Sequence, residues 1–247
     1  MRNKILVVYH PVGKSIDRAT GLLESWGYEL DWCCPAKGHP LPEPGGQHVA
    51  ALVQGGAENL SESGHLAYLK TEMDWIRQWV SREQPVLGIC LGGQLMAQAF
   101  GKPVKPHPQK LHEIGFVEVS PRSGVDDFLA GPTYMYQWHQ EGFEVPERGE
   151  LLATGERYPN QAYRIGHHAY GLQFHPEVAP ENFLSWIEHA GHYLDYPGAH
   201  SKAKQESDAV HYDAPMRQWL KKFLKRWLTL AGASPTDQGN EVAAEKH

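Results

Sequence analysis

Cys90 closes an apolar run, Pro85-Val86-Leu87-Gly88-Ile89, and opens the segment Leu91-Gly92-Gly93-Gln94-Leu95-Met96-Ala97-Gln98-Ala99-Phe100. The run reads as a buried strand and Gly92–Phe100 as a helix, so the thiol stands at a strand-to-helix corner. A free thiol, with a pKa of about 8.5, is mostly protonated at neutral pH and needs a base or a helix N-terminus to act as a nucleophile. The corner supplies a helix N-terminus, whose dipole favours the anion. Gly92 and Gly93 clear side chains from the corner, which suits a strained turn and close approach of a substrate. That is the logic of the nucleophile elbow, with sulfur in place of oxygen. The same residue also reads as a buried cysteine packing as a small hydrophobe.

A base is available at the end of another strand. Tyr170-Gly171-Leu172-Gln173-Phe174 runs into His175-Pro176-Glu177. Two residues apart in extended chain, His175 and Glu177 point the same way, and the carboxylate can orient the imidazole. Two segments thus hold a nucleophile, a base and an orienting acid.

The elements that must carry these residues alternate between strand and helix. Ile5–Tyr9, Tyr28–Trp32, Val49–Val53 and Val86–Ile89 read as strands, and Ile16–Trp26 and Ala67–Ser81 as helices. In the longer helix Leu69, Met73, Ile76, Trp79 and Val80 share one face. Alternation of this kind implies an α/β fold with a mostly parallel central sheet covered by helices, with active groups at the carboxyl ends of strands. Further strands follow at Gly115–Val119, Tyr134–Trp138, Leu151–Ala153, Ala162–Ile165 and Tyr170–Phe174, then a helix over Pro180–Tyr193. After a polar stretch at Ser201–Asp208, Met216, Trp219, Leu220, Phe223, Leu224, Trp227 and Leu228 form a helical apolar stripe, with Lys221, Lys222, Lys225 and Arg226 off it. Such a helix docks its stripe on the domain and keeps its lysines in water; a membrane surface or partner helix is the alternative. The chain divides into a domain over 1–195, an extension with the docked helix over 196–231, and a disordered tail over 232–247.

Composition excludes several classes. A net charge of −6 without a long basic run argues against nucleic acid, and no stretch is apolar enough for a membrane span. The start, Met1-Arg2-Asn3-Lys4 followed by a strand, carries no signal region and reads as cytoplasmic. The adjacent Cys33 and Cys34 end a strand and do not make a disulfide framework. His10-Pro11-Val12-Gly13-Lys14-Ser15 ends like a phosphate-binding loop, but Val8 stands where that loop needs a glycine. Arg122–Asp127 reads as a surface turn rather than a pyrophosphate loop. No His-Glu-x-x-His or Cys-x-x-Cys spacing occurs, so neither a metal nor another cofactor is expected.

Taken together, Gly88-Ile89-Cys90-Leu91-Gly92-Gly93-Gln94 and Gly171-Leu172-Gln173-Phe174-His175-Pro176-Glu177 resemble the signatures of class I glutamine amidotransferase domains. The resemblance covers most of residues 1–195 and is closest to stand-alone, GMP-synthase-like members. It implies a flavodoxin-like architecture in which Cys90, His175 and Glu177 release ammonia from glutamine through a γ-glutamyl thioester. It implies an oxyanion site at the N–H groups of Gly56 and Leu91, and substrate contacts at Gln94 and His139. Ala57 replaces the usual proline of the oxyanion loop, and Gln140 and Glu141 replace the glycine and aspartate that commonly follow Trp138-His139. A bulkier segment there narrows the pocket or favours a γ-glutamyl compound other than glutamine. No acceptor-activating domain accompanies the motifs, so the ammonia passes to a separate synthase subunit or is released. A γ-glutamyl peptide hydrolase uses the same thioester, and a non-catalytic binding module is the reading from a different class.

Overall fold

The structure is a computed structural model and describes residues 4–12, 16–125, 127–230 and 232. In chain order the elements are β1 (Lys4–Val8), α1 (Arg18–Ser25), β2 (Glu29–Cys33), β3 (His48–Val53), α2 (Leu60–Ser63), α3 (Ala67–Ser81), β4 (Val86–Ile89) and α4 (Leu91–Ala99). Then come β5 (Val104–Pro106), β6 (Glu113–Pro121), β7 (Thr133–His139), β8 (Glu141–Phe143), β9 (Gly149–Thr154), β10 (Ala162–Ile165), β11 (Ala169–Leu172), α5 (Pro180–Ala190) and α6 (Lys202–Leu230). One sheet runs in the order β2-β1-β3-β4-β11-β10-β9-β6-β7, and β5 and β8 form a small separate pair. From β2 to β11 all neighbours are parallel. From β11 to β7 the sheet continues antiparallel.

Side-chain alternation along the parallel strands feeds two cores. Ile5, Val7, Ala50, Leu52, Leu87 and Ile89 pack with α1, α5 and α6. Leu6, Val8, Ala51, Val53 and Val86 face α3 and α4. Burial on both faces is why these strands read as continuous apolar runs rather than as alternating ones.

The expected α/β architecture is present, with several differences at the level of elements. The first helix starts at Arg18 instead of Ile16, because Asp17 caps it by accepting from the Thr20 N–H. The strand before His175 ends at Leu172, and the helix from Pro180 gives way at Gly191 to a 3-10 turn. Ser201–Asp208 is not a polar connection: α6 begins at Lys202 and continues through Pro215. Its stripe residues Met216, Leu220, Phe223, Leu224, Trp227 and Leu228 are buried, while Lys221 and Lys222 are exposed. Trp219 and Trp227 donate their indole N–H groups to the carbonyls of Phe128 and His168. Arg122–Val125 forms a turn closed by the Val125 N–H on the Arg122 carbonyl. Gly13–Ser15 of the phosphate-loop lookalike, and the tail from Ala231 on except Gly232, lie outside the described residues. Among the described residues no helix is long and apolar enough to cross a membrane.

Candidate active site

Three neighbouring parallel strands, β3, β4 and β11, end side by side, and their carboxyl ends bring together residues far apart in sequence. β4 delivers Cys90, its parallel neighbour β11 leads to His175 and Glu177, and β3 leads to Gly55 and Gly56. The Cys90 N–H donates to the Leu172 carbonyl at 2.7 Å, so the two strand ends are in register up to the thiol.

Cys90 has φ 48° and ψ −105°, a conformation that a side-chain-bearing residue rarely adopts. Strain of this kind is worth about 1–3 kcal/mol and persists only where the surroundings impose it. They do so through glycine. A Cβ on Gly88 would stand 2.5 Å from the Gly92 carbonyl, one on Gly92 would stand 2.3 Å from the Val53 carbonyl oxygen, and one on Gly93 would stand 2.8 Å from that of Leu172. Gly92 and Gly93 thus let α4 press its first turn onto the sheet. The expectation that they clear the way for a substrate is corrected: neither lines the cavity beside Cys90.

His175 hydrogen-bonds Glu177 Oε1 through Nδ1 at 2.7 Å, and the Cys90 side chain lies close enough to act on the ring. The ring is boxed in. A Cβ on Gly55 would stand 2.9 Å from its Cε1, and the edge of Trp186 meets it with ring centroids 5.1 Å apart. Burial alone would lower the His175 pKa, but the charges of Glu177 and Cys90 and the hydrogen bonds to them outweigh it, raising it to about 10. The imidazole is therefore held as a cation. Gln173 turns its amide nitrogen to the Cys90 sulfur at 3.7 Å, and no described residue hydrogen-bonds Glu177 Oε2. Behind Glu177 lies Asp17, whose carboxyl is raised to about 7 by burial first and by the Glu177 charge second, against hydrogen bonds from Thr20 and Gln54.

The cavity next to the thiol has a volume of about 140 Å³ and is lined by Gly56, Leu91, Gln94, His139 and Glu141 among others. That is well below the roughly 300–1,000 Å³ of sites for drug-sized ligands and suits a group the size of an amino acid. Gly56 and Leu91 line this cavity together with Cys90. The Leu91 N–H is at the start of α4, where N–H groups have no partner within the helix.

Gln94 and His139 line the cavity, but the Gln94 amide nitrogen and both His139 ring nitrogens are engaged with other protein groups. The Gln94 amide nitrogen donates to the Glu141 carbonyl at 3.0 Å and to Gln173 Oε1 at 3.3 Å. His139 uses Nδ1 on the same Glu141 carbonyl at 2.9 Å and Nε2 on Glu113 Oε2 at 3.1 Å. Both ring nitrogens of His139 are thus taken, and the ring holds the Gln140–Glu141 corner. Glu141 does not fill the cavity as a loose bulky side chain. Its carboxylate binds the Ser61 N–H and hydroxyl and ties α2 to β8. Asp17, Gln173 and Trp186 escaped sequence reasoning. Only Gln173, next to the His175 motif, had a local signal. Among the described residues no group of His, Cys, Asp and Glu side chains gathers as a metal site.

The family model described as glutamine amidotransferase class-I matches residues 47–189, which contain Cys90, His175 and Glu177. The glutamine amidotransferase-like protein YfeJ of Salmonella typhimurium is 28% identical over 223 residues, covering 86% of this chain and 90% of that protein. One subunit of the glutamine-hydrolysing GMP synthase of Thermococcus kodakarensis is 31% identical over 146 residues, 57% of this chain and 72% of that one. A glutamine amidotransferase from Thermotoga maritima matches in structure with a TM-score of 0.79 and 26% identity, over 92% of this chain and 99% of that chain. A glutamine amidotransferase from Methylobacillus flagellatus shares the fold at a TM-score of 0.85 and 21% identity, over 99% and 100% of the two chains.

Proposed function

This chain belongs to the class I glutamine amidotransferase family, and from that premise we propose that it hydrolyses the γ-amide of glutamine, or of a γ-glutamyl compound, through a thioester on Cys90. The observation that carries the reading is the meeting of the Cys90 side chain with a His175 ring locked on Glu177. In this reading His175 takes the thiol proton, and the resulting thiolate faces the substrate beside a cationic imidazole.

The steps follow from that state. The Cys90 thiolate adds to the γ-carbonyl carbon, and the electron pair of the C=O bond moves to oxygen. The N–H groups of Gly56 and Leu91 stabilise that oxyanion as it forms. His175 gives its proton to the amide nitrogen, the C–N bond breaks, and ammonia leaves. Now neutral, His175 takes a proton from water while the hydroxyl adds to the thioester. The C–S bond breaks, glutamate is released, and the ion pair is restored. Glu177 keeps Nδ1 protonated and the ring in the orientation that serves both transfers.

The size of the cavity supports an amino-acid-sized γ-glutamyl head as the part bound next to Cys90. Gln94 and His139 act in this account by fixing the Glu141 carbonyl. The Thermococcus relative is named as one chain of a larger synthase, which supports delivery of ammonia to a separate synthase chain here as well.

The test combines two readouts on the full chain. Intact mass after exposure to an electrophilic glutamine analogue should show one adduct on wild type and none on Cys90→Ala, with ammonia release from glutamine by wild type alone. An adduct without ammonia redirects the substrate to another γ-glutamyl compound. No adduct and no turnover removes Cys90 as nucleophile and favours a binding module.

A further inference from the structure

Another histidine–glutamate pair, His10–Glu72, lies beneath the loop that follows β3. His10, two residues past the end of β1, and Glu72, on α3, have side chains with no exposure to solvent. His10 Nε2 is 3.3 Å from Glu72 Oε1, and its Nδ1 is 3.1 Å from the Gly55 carbonyl oxygen. A buried ion pair adds little net stability compared with apolar packing, so its place in an otherwise apolar helix face calls for another explanation.

The Gly55 carbonyl and the Gly56 N–H are opposite ends of one peptide unit, and the described chain has no cis peptide bonds. In a trans peptide the two groups point in opposite directions. A donor that fixes the carbonyl on one side therefore fixes where the N–H points on the other. Two successive glycines have no steric preference of their own to do this. The packing is close: a Cβ on Gly56 would stand 3.0 Å from His10 Cβ and 2.5 Å from Leu91 Cδ2. His10 and Leu91 thus both pack against Gly56.

We infer that His10 and Glu72 are positioning residues that hold the Gly55–Gly56 peptide with its N–H turned to the oxyanion. This rests on the glutamine-hydrolase reading for the identity of that oxyanion. Glu72 also keeps a proton on His10. Burial would lower the His10 pKa, but the Glu72 charge and hydrogen bond, the Gly55 carbonyl and the Glu58 charge raise it overall. A charge-assisted bond to the carbonyl polarises the peptide and makes its N–H the stronger donor. Two of the molecule's histidine–glutamate pairs thus have separate duties in this account: His175–Glu177 moves protons, and His10–Glu72 holds a peptide.

Full-length His10→Leu, His10→Asn and Glu72→Gln variants test this with kinetics and one spectroscopic readout. Asparagine is the informative replacement, because its side-chain amide nitrogen can sit where Nδ1 does. His10→Leu is expected to lose about tenfold or more in kcat, below the cost of deleting an oxyanion donor, with KM unchanged. Its Cys90 should react with chloroacetamide at the wild-type rate, since alkylation builds no oxyanion. His10→Asn should recover most of the activity. The Gly56 amide proton, observed in protein labelled at glycine with ¹⁵N and carbonyl ¹³C, should move upfield in His10→Leu and back in His10→Asn. Glu72→Gln keeps the shape of its side chain, should shift both readouts in the same direction by less, and decides the matter if the leucine variant does not fold. Unchanged kcat, a parallel loss in alkylation, or a Gly56 resonance indifferent to these substitutions would overturn the inference. If wild type fails to hydrolyse glutamine, the glutamine-hydrolase reading falls, and the Gly56 resonance still decides whether His10 holds the peptide.

Discussion

Glu177 serves His175 with one oxygen and lies against Asp17 with its charge, so two carboxyls share the space behind one imidazole. The folded Asp17 carboxyl is raised to about 7 from its ordinary value of 3.8. Between those values the folded chain holds a proton that the unfolded chain has released, so this group makes stability fall as pH rises from about 4 to about 7. Asp17→Asn keeps a side-chain oxygen for capping α1 and removes the repulsion. The variant is expected to match wild type at pH 4 and to unfold at higher temperature than wild type at pH 8, measured by thermal scans across that range. A constant difference at every pH would contradict this account of Asp17. The sequence made Cys90, His175 and Glu177 visible because each stands in a local pattern of strand, corner and rigid turn. His10 and Asp17 had no such pattern. Glu72 did leave a trace, since it lies three residues after Leu69 and four before Ile76 on the buried stripe of its helix. A carboxylate there needs a buried partner, and only the fold brings His10 to it.

Cys90, His175, Glu177 and Gly56 all follow the ends of strands, and the junction of α4 with the sheet sets their geometry. Gly92 touches the backbone of β3, which cannot swing aside like a flexible side chain. Gly92→Ala is therefore expected to destabilise the chain by about 1–3 kcal/mol or more, as overpacking does. Urea unfolding would measure it, and wild-type stability would show that α4 does not press on β3 as described. Long periodic elements were readable: the helix over Ala67–Ser81 has the boundaries its apolar face predicts. Short ones were not. β5 and β8 have three residues each, too few for a periodic signal. The first half of α6 was hidden because it has few apolar positions and meets the sheet through a polar residue, with Gln205 buried and accepting from the Tyr136 hydroxyl. Pro215 reinforced the appearance of a boundary.

The molecule joins a parallel half-sheet, which presents the site, to an antiparallel half-sheet that walls one side of it through Trp138, His139 and Ile114. α6 binds both together: its Asp213 pairs with Arg18 of α1, while Met216 accepts from the backbone of β7. The alternation of strands and helices in the first hundred residues announced the parallel half. That the later strands join the same sheet could not be read from local pattern, because pairing between β11 and β10 or β6 and β9 is a long-range choice. The central claim is that Cys90 carries the γ-acyl group during turnover, and the most direct measurement is to catch it there. Wild type mixed with glutamine, quenched in acid during turnover and mapped by peptide mass should show a γ-glutamyl adduct on the Cys90 peptide that disappears when substrate is exhausted. Ammonia formation without that adduct, persisting in Cys90→Ala, would contradict the account.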